Sequence, residues 1–304
     1  MSARRIFAGP ARLAAIAPYL WMVLFFLVPF GFVFKISLSQ TAIAQPPYTP
    51  VFDFTEGREA LAAAFGQLSF DNFRLLISDN LYILSYLRSV MVAVTSTVIL
   101  LVIGYPVAYG MARLPRRWQA VAMVLVIVPF WTSFLIRIYA WINILQHDGL
   151  LNRILLALHL VSSPIVWLST DTAMYIGIVY SYLPFMILPL YATLAKMDAS
   201  LLEAAGDLGA SPRQAFWLVT VPLSLPGIGA GALLCFIPIV GEFVIPDLLA
   251  GSNSLMVGQT LWLEFFTNKD WPVASAAAVT LLALLVPPLV LYDRLQRRQL
   301  EGNS

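Results

Sequence analysis

Ser89-Val-Met-Val-Ala-Val-Thr-Ser-Thr-Val-Ile-Leu-Leu-Val-Ile-Gly-Tyr-Pro-Val-Ala-Tyr-Gly-Met-Ala112 carries no charged side chain, although Arg88 and Arg113 bracket it. A helix rises about 1.5 Å per residue, so about 20 residues cross roughly 30 Å of hydrocarbon. A helix on the surface of a soluble protein would show a polar face at this length. The stretch therefore predicts a membrane span. Five further runs of the same kind flank it: Leu13 to Phe34, Trp118 to Ile136 (continuing past Arg137 to Ala140), Thr172 to Ala195, Val219 to Gly241 and Trp271 to Tyr292. The expected fold class is an all-α membrane protein with six transmembrane helices, forming one membrane domain over residues 1–304. The first run is too long for the apolar part of a signal peptide and reads as a retained anchor.

Composition agrees. Of 304 residues, 60% are hydrophobic and 11% charged, with mean hydropathy +0.82. A soluble domain carries about 25% charge. The balance excludes a water-soluble globule, a disordered chain and a nucleic-acid-binding protein, which needs a basic face. Cys235 is the single cysteine, and His147 and His159 share no ligand partner, so no metal site is expected. No phosphate loop, H-E-x-x-H or nucleophile elbow occurs, so any ATP must be bound by another subunit.

Lys and Arg set the expected orientation. With the N-terminus in the cytoplasm, the inner segments hold Arg4, Arg5, Arg12, Arg113, Arg116, Arg117, Lys196, Arg213, Arg294, Arg297 and Arg298. That is the positive-inside pattern, with both termini cytoplasmic. Ser2, Arg116, Ser211 and Asn303 should then be reachable from inside, and Thr55, Asn152 and Asn268 from outside. In the outer segment, Asn72 to Leu87 reads as one amphipathic surface helix. Pro29, Pro106, Pro129, Pro184, Pro189 and Pro238 punctuate the spans, as kinks around a cavity or as ordinary packing.

The inner segment over residues 196–222 is the most informative. Ser200 followed by Glu203 forms a capping box that starts a helix, and Gly209 supplies a left-handed end. Ser211, Pro212 and Gln214 start a second helix. Leu201, Leu202, Ala205 and Leu208 form an apolar stripe on the first. A two-turn helix is marginal alone and needs a partner, from its own chain or from a second protein.

Glu203-Ala204-Ala205, three residues, Gly209, nine residues, then Val219-Thr-Val-Pro222 resembles the EAA loop of ABC importer permeases, with valine in place of Ile and Leu. The resemblance implies the type I importer (MetI-like) fold. It also implies that Glu203, Ala204, Ala205 and Gly209 belong to a coupling helix seated on an ATPase. Implied partners are a second homologous permease, two ATP-binding subunits that hold ATP and Mg, a periplasmic or extracellular substrate-binding protein, and the bilayer of a bacterial inner membrane. The chain itself would be a transport subunit rather than an enzyme. Gly104-Tyr-Pro-Val-Ala-Tyr109, Pro129-Phe-Trp-Thr-Ser-Phe-Leu-Ile-Arg137 and Val240-Gly-Glu242-Phe-Val-Ile-Pro-Asp247 are similar to polyamine permeases, which implies putrescine or spermidine as cargo; related permeases carry opines and other solutes.

A polyamine pore needs carboxylates and aromatic faces. Glu242 and Asp247 are the acids nearest the fifth span, and Tyr139 and Trp141 end the third. Glu242 reads either as a cargo contact or as an ion pair with Arg137. Tyr139 and Trp141 read either as stacking platforms or as an interfacial belt. A secondary transporter would need midplane acids and an internal repeat; a channel would need a filter or a ring of charge. The runs show neither.

Overall fold

The computed structural model describes residues 10–52, 58–251 and 254–302. Ser2, Thr55 and Asn303 lie outside them. Among the described residues, five helices are long and apolar enough to cross a membrane: Ile16–Ser37, Asn80–Arg113, Asp171–Leu194, Pro212–Val240 and Trp271–Arg297. A broken pair, Arg116–Trp131 with Phe134–Ala157, supplies the sixth when it is taken as one span.

That third span departs most from expectation, because its halves meet at 89°. Pro129 has no N–H to continue the helical ladder. Thr132 and Ser133 then adopt extended ψ angles of 154° and 138°. The Pro129 carbonyl left over is taken by the Thr132 hydroxyl at 2.8 Å and by Arg137 Nη1 at 2.6 Å. Irregular backbone at membrane depth needs such internal partners. Widened π-turns occur at Val23–Leu27 and Phe216–Thr220. Pro29 and Pro222 follow them, and a turn with one extra residue keeps each ring clear of the carbonyl four residues back.

The expected surface helix over Asn72–Leu87 is split. Asp71–Ser78 is a helix, Asp79 is extended, and Asn80 begins the 34-residue second span. Asp79 Oδ1 accepts the Leu81 N–H at 2.9 Å and so caps that span, which a continuous helix could not do.

The chain divides into two compact units. One combines the segments up to Ile83 with Leu261–Leu284. Leu76, Tyr82, Val273, Ala276 and Ala277 form its buried cluster, and Tyr82 donates to Glu264 Oε1 at 2.8 Å. A two-stranded antiparallel hairpin pairs Gln40 with Thr49 and Thr41 with Tyr48, and Thr41 donates to Asp270 Oδ1 at 2.7 Å. The first span has no buried residue in its apolar window.

The other unit spans Leu84–Thr260 with the segment from Leu285 on. The fourth and fifth spans form its centre. Gly227 and Gly231, one turn apart, let the fifth span close on the fourth. A methyl at Gly227 would lie 2.6 Å from Thr193 Oγ1, and one at Gly231 would lie 2.8 Å from Met186 sulfur. Small residues at this spacing are how membrane helices gain close contact. The segment Leu150–Ala157 is tied down by Asn152, which is 1% exposed. Its amide donates to the carbonyls of His147 and Ile165 and accepts from Ile165 N and Trp167 Nε1. Asn152 is therefore buried and not the accessible position expected from the order of the spans.

Candidate functional site

Two regions hold the sequence-predicted residues. The first is the segment between the fourth and fifth spans. Its helix runs Ser200–Asp207, but the Ser200–Glu203 capping box does not form. Asp198 caps the helix instead, accepting the Ser200 N–H at 3.0 Å. That N–H, and then the Ser200 hydroxyl, hold the Asp198 carboxyl below the usual carboxylate range. At the other end Gly209 has φ +81°. Gly209 N donates to the Gly206 carbonyl at 2.8 Å and Ala210 N to the Ala205 carbonyl at 2.9 Å. These are the paired bonds of a Schellman ending.

Ser211 and Gln214 form the reciprocal capping box, and Pro212 takes the first turn. The second helix does not stand alone; it runs through the π-turn into the fifth span. Phe216 fixes that junction by meeting Tyr105 and Tyr109 of the second span edge-on, at 5.8 and 5.5 Å between ring centres. Sequence reasoning missed Phe216, because an aromatic residue at a membrane boundary is unremarkable without its partners.

The apolar stripe is divided. Leu202 turns inward, lining a cavity of about 410 Å³ with Tyr109, Arg113, Leu194 and Glu203. Ala205 is half-buried. Leu201 and Leu208 are 45% and 89% exposed, and Glu203 and Ala204 are also exposed. Residues 201, 204 and 208 share one helical face by their spacing. The outward surface is thus apolar and slim, with Glu203 at its edge.

The second region gathers where the end of the fifth span meets the middle of the fourth. Glu242 is 9% exposed and follows the end of the fifth span. Its Oε2 accepts from the Tyr182 hydroxyl at 2.5 Å. Its Oε1 accepts from Val244 N and Ile245 N at 3.1 and 3.4 Å, which starts the helix Val244–Leu249. Arg137 binds Pro129 and lies over Phe130, so the expected Glu242–Arg137 pair is absent. A carboxylate satisfied by two local amides and a phenol needs no distant cation.

Asp247 is exposed on that short helix. Trp141 packs edge-on against Tyr180 at 5.4 Å, while Tyr139 is 54% exposed. Among the described residues, no hydrogen bond, ion pair or ring contact joins any two of Glu242, Asp247, Tyr139 and Trp141. A polar knot that the sequence did not reveal lies at the start of the fourth span. Arg88 Nη2 donates to Asp171 at 2.6 Å and to Ser254 at 2.9 Å, which ties the second span to the start of the fourth.

The family described as "Binding-protein-dependent transport system inner membrane component" matches residues 101–301. The chain belongs to this family. The matched range contains the Ser200–Gly209 segment and the broken third span, and the protein is a multi-pass inner-membrane component of an ABC importer, a transport subunit and not an enzyme. The spermidine/putrescine transport system permease protein PotB of Escherichia coli (strain K12) is 41% identical over 237 residues, covering 77% of this chain and 86% of that one. Its Haemophilus influenzae counterpart is 44% identical over 199 residues, 66% and 70% of the two chains. The E. coli inner membrane ABC transporter permease protein YdcU is 32% identical over 241 residues, 75% and 76% of the two. Among solved structures, a bacterial ABC transporter importing alginate matches at TM-score 0.68 and 15% identity, over 95% of each chain. The MetNI methionine ABC transporter matches at TM-score 0.53 and 19% identity, over 71% of this chain and 94% of that one. The permease has the type I importer, MetI-like fold.

Proposed function

We propose that this permease is one of two related membrane subunits of an importer that carries polyamines, putrescine or spermidine, into the cytoplasm. The observation that carries the reading is the 41% identity to a spermidine/putrescine permease over 77% of the chain. A soluble receptor delivers the cargo from outside. Two ATPase subunits bind ATP and Mg on the inner side, and both termini of this chain face the cytoplasm.

The Ser200–Asp207 helix is the proposed coupling element. Glu203, Ala204, Ala205 and Gly209 belong to it, and its outward face (Leu201, Ala204, Leu208) suits an apolar groove on an ATPase. Nucleotide-driven closure of the ATPases moves this helix. The motion passes through Phe216 to the second and fifth spans, exchanging an inward-open packing for an outward-open one. On the cargo path, Asp247 and Tyr139 retain free surface for an ammonium. Glu242 and Trp141 serve that path by holding the walls, through Tyr182 and Tyr180.

The test is uptake by the complete importer reconstituted in vesicles with its receptor, using labelled putrescine and spermidine with an opine as competitor. ATP-dependent uptake of a polyamine, unaffected by the opine, is expected. Opine uptake without polyamine uptake would replace the cargo assignment. Uptake driven by an ion gradient without ATP would remove the importer reading altogether.

A further inference from the structure

The fifth span has a weak joint where the segment after the fourth span enters it. Phe216–Thr220 is a π-turn, and Pro222, just past it, offers no N–H to the helical ladder. Helices bend at such places, because fewer backbone bonds resist the bend. The Ser200–Asp207 helix packs against this same π-turn. A push on that helix would bend the joint and go no further unless something stiffens it.

Tyr105 reaches both sides of the joint from the second span. Its ring meets Phe216, at the start of the π-turn, edge-on at 5.8 Å. Its hydroxyl lies 2.9 Å from Oγ of Ser224, beyond Pro222. Ser224 is 1% exposed, and its own proton goes to the Val221 carbonyl at 2.9 Å. The tyrosine hydroxyl is therefore the donor. Ring contacts alone would let the joint slide, whereas a directional bond to a buried hydroxyl fixes its angle. The base of this support is itself held. A methyl at the neighbouring Gly104 would lie 3.0 Å from Met186 Cγ, so the second span is seated closely on the fourth. One turn further along, Tyr109 repeats the ring contact with Phe216 at 5.5 Å and lies 4.4 Å beneath the Arg113 guanidinium.

We infer that Tyr105 is a positioning residue for ATP coupling. It splints the fifth span across the π-turn, so that a displacement of the Ser200–Asp207 helix moves the span as one body. This inference rests on the coupling role proposed above for that helix.

The test uses the complete importer reconstituted in vesicles with its receptor. It measures cargo imported per ATP hydrolysed, with labelled putrescine or spermidine, whichever the wild type carries. Tyr105→Phe keeps the ring and loses the hydroxyl. Import per ATP should fall about threefold, the effect of one ordinary hydrogen bond, while ATP hydrolysis persists. Ser224→Ala should match it. The double variant should be no worse than either, because both groups act through one bond. Tyr105→Leu loses ring and hydroxyl together and should fall about tenfold; if it fails to assemble, Tyr105→Phe decides. A merely structural role would lower the amount of intact complex and leave import per ATP unchanged, and that result would overturn the splint. Additive losses in the double variant would overturn it as well. Gly209→Val, measured alongside, separates the two readings. Poor coupling in Gly209→Val with normal coupling in the Tyr105 variants would remove the splint alone. Normal import per ATP in Gly209→Val and in every Tyr105 variant would remove the coupling role of the helix, and the splint with it.

Discussion

Glu242 takes one hydrogen bond from Tyr182 and two from the first turn of its own helix, and this decides how its replacement should behave. Tyr182→Phe leaves one carboxylate oxygen without its donor. A hydrogen bond to a charged group contributes about 1.5–3 kcal/mol, so a loss of that size is expected in detergent thermal unfolding. Glu242→Gln should cost less, since its amide oxygen can keep the two backbone N–H bonds and its NH2 can donate to the Tyr182 oxygen, so only the charge assistance is lost. Adding Arg137→Gln should restore nothing, because Arg137 does not touch the carboxylate. Recovery of folded protein in that double variant would reinstate the ion pair. The difficulty in reading this residue from sequence is physical. Its acidity was plain, but Tyr182 lies 60 positions away, in the middle of the fourth span, and is one of several tyrosines in the spans. Two of its three donors are backbone amides, which carry no sequence signal.

At the scale of the element, the Ser200–Asp207 helix shows what local signals can and cannot fix. Gly209 was legible because a left-handed helix end favours glycine, and φ is +81°. Nothing lies within 4 Å of where a side chain would begin, so substitution there costs backbone strain alone. Gly209→Asn should be the mildest change, Gly209→Ala should cost about 1 kcal/mol, and Gly209→Val should cost more. Hydrogen exchange over residues 200–210 in the assembled importer should follow that order, and ATPase stimulation by loaded receptor should fall in parallel. Faster exchange with full stimulation in all three would detach this helix from coupling. The helix begins at Ser200 as read, but its cap is Asp198, two residues earlier, since Asp198 and Ser200 are both good caps and only geometry chooses between them. The elbow at Pro129 was hidden for another reason. Prolines interrupt most spans, and Pro184, buried in the fourth, stays within a continuous helix. After Pro129, by contrast, two residues turn extended, Thr132 and Ser133.

For the whole molecule, hydropathy made the spans legible, because a charge-free run long enough to cross a bilayer has few soluble uses. The Gln40–Thr49 hairpin was not, since strands of two residues leave no periodicity to find. The proposed orientation is tested by single cysteines in a Cys235→Ala background with a membrane-impermeant thiol reagent. Ser211→Cys should react only from the cytoplasmic side, and Asn268→Cys only from outside. Asn152→Cys should react from neither, because burial rather than sidedness protects it. Labelling of Ser211→Cys from outside would invert the protein in the membrane.

The segment between the fourth and fifth spans has one helix closed by a Schellman ending and a second opened by a capping box. Both ends are satisfied by the segment's own groups, so a docking partner meets a surface that is already ordered. Association then loses little chain entropy, and the contact can be small without being weak. A peptide copied from residues 196–222 would lack this advantage, because an isolated two-turn helix is mostly unfolded in water. As a soluble competitor it should perform poorly until a covalent staple restores the shape that the membrane spans impose for free.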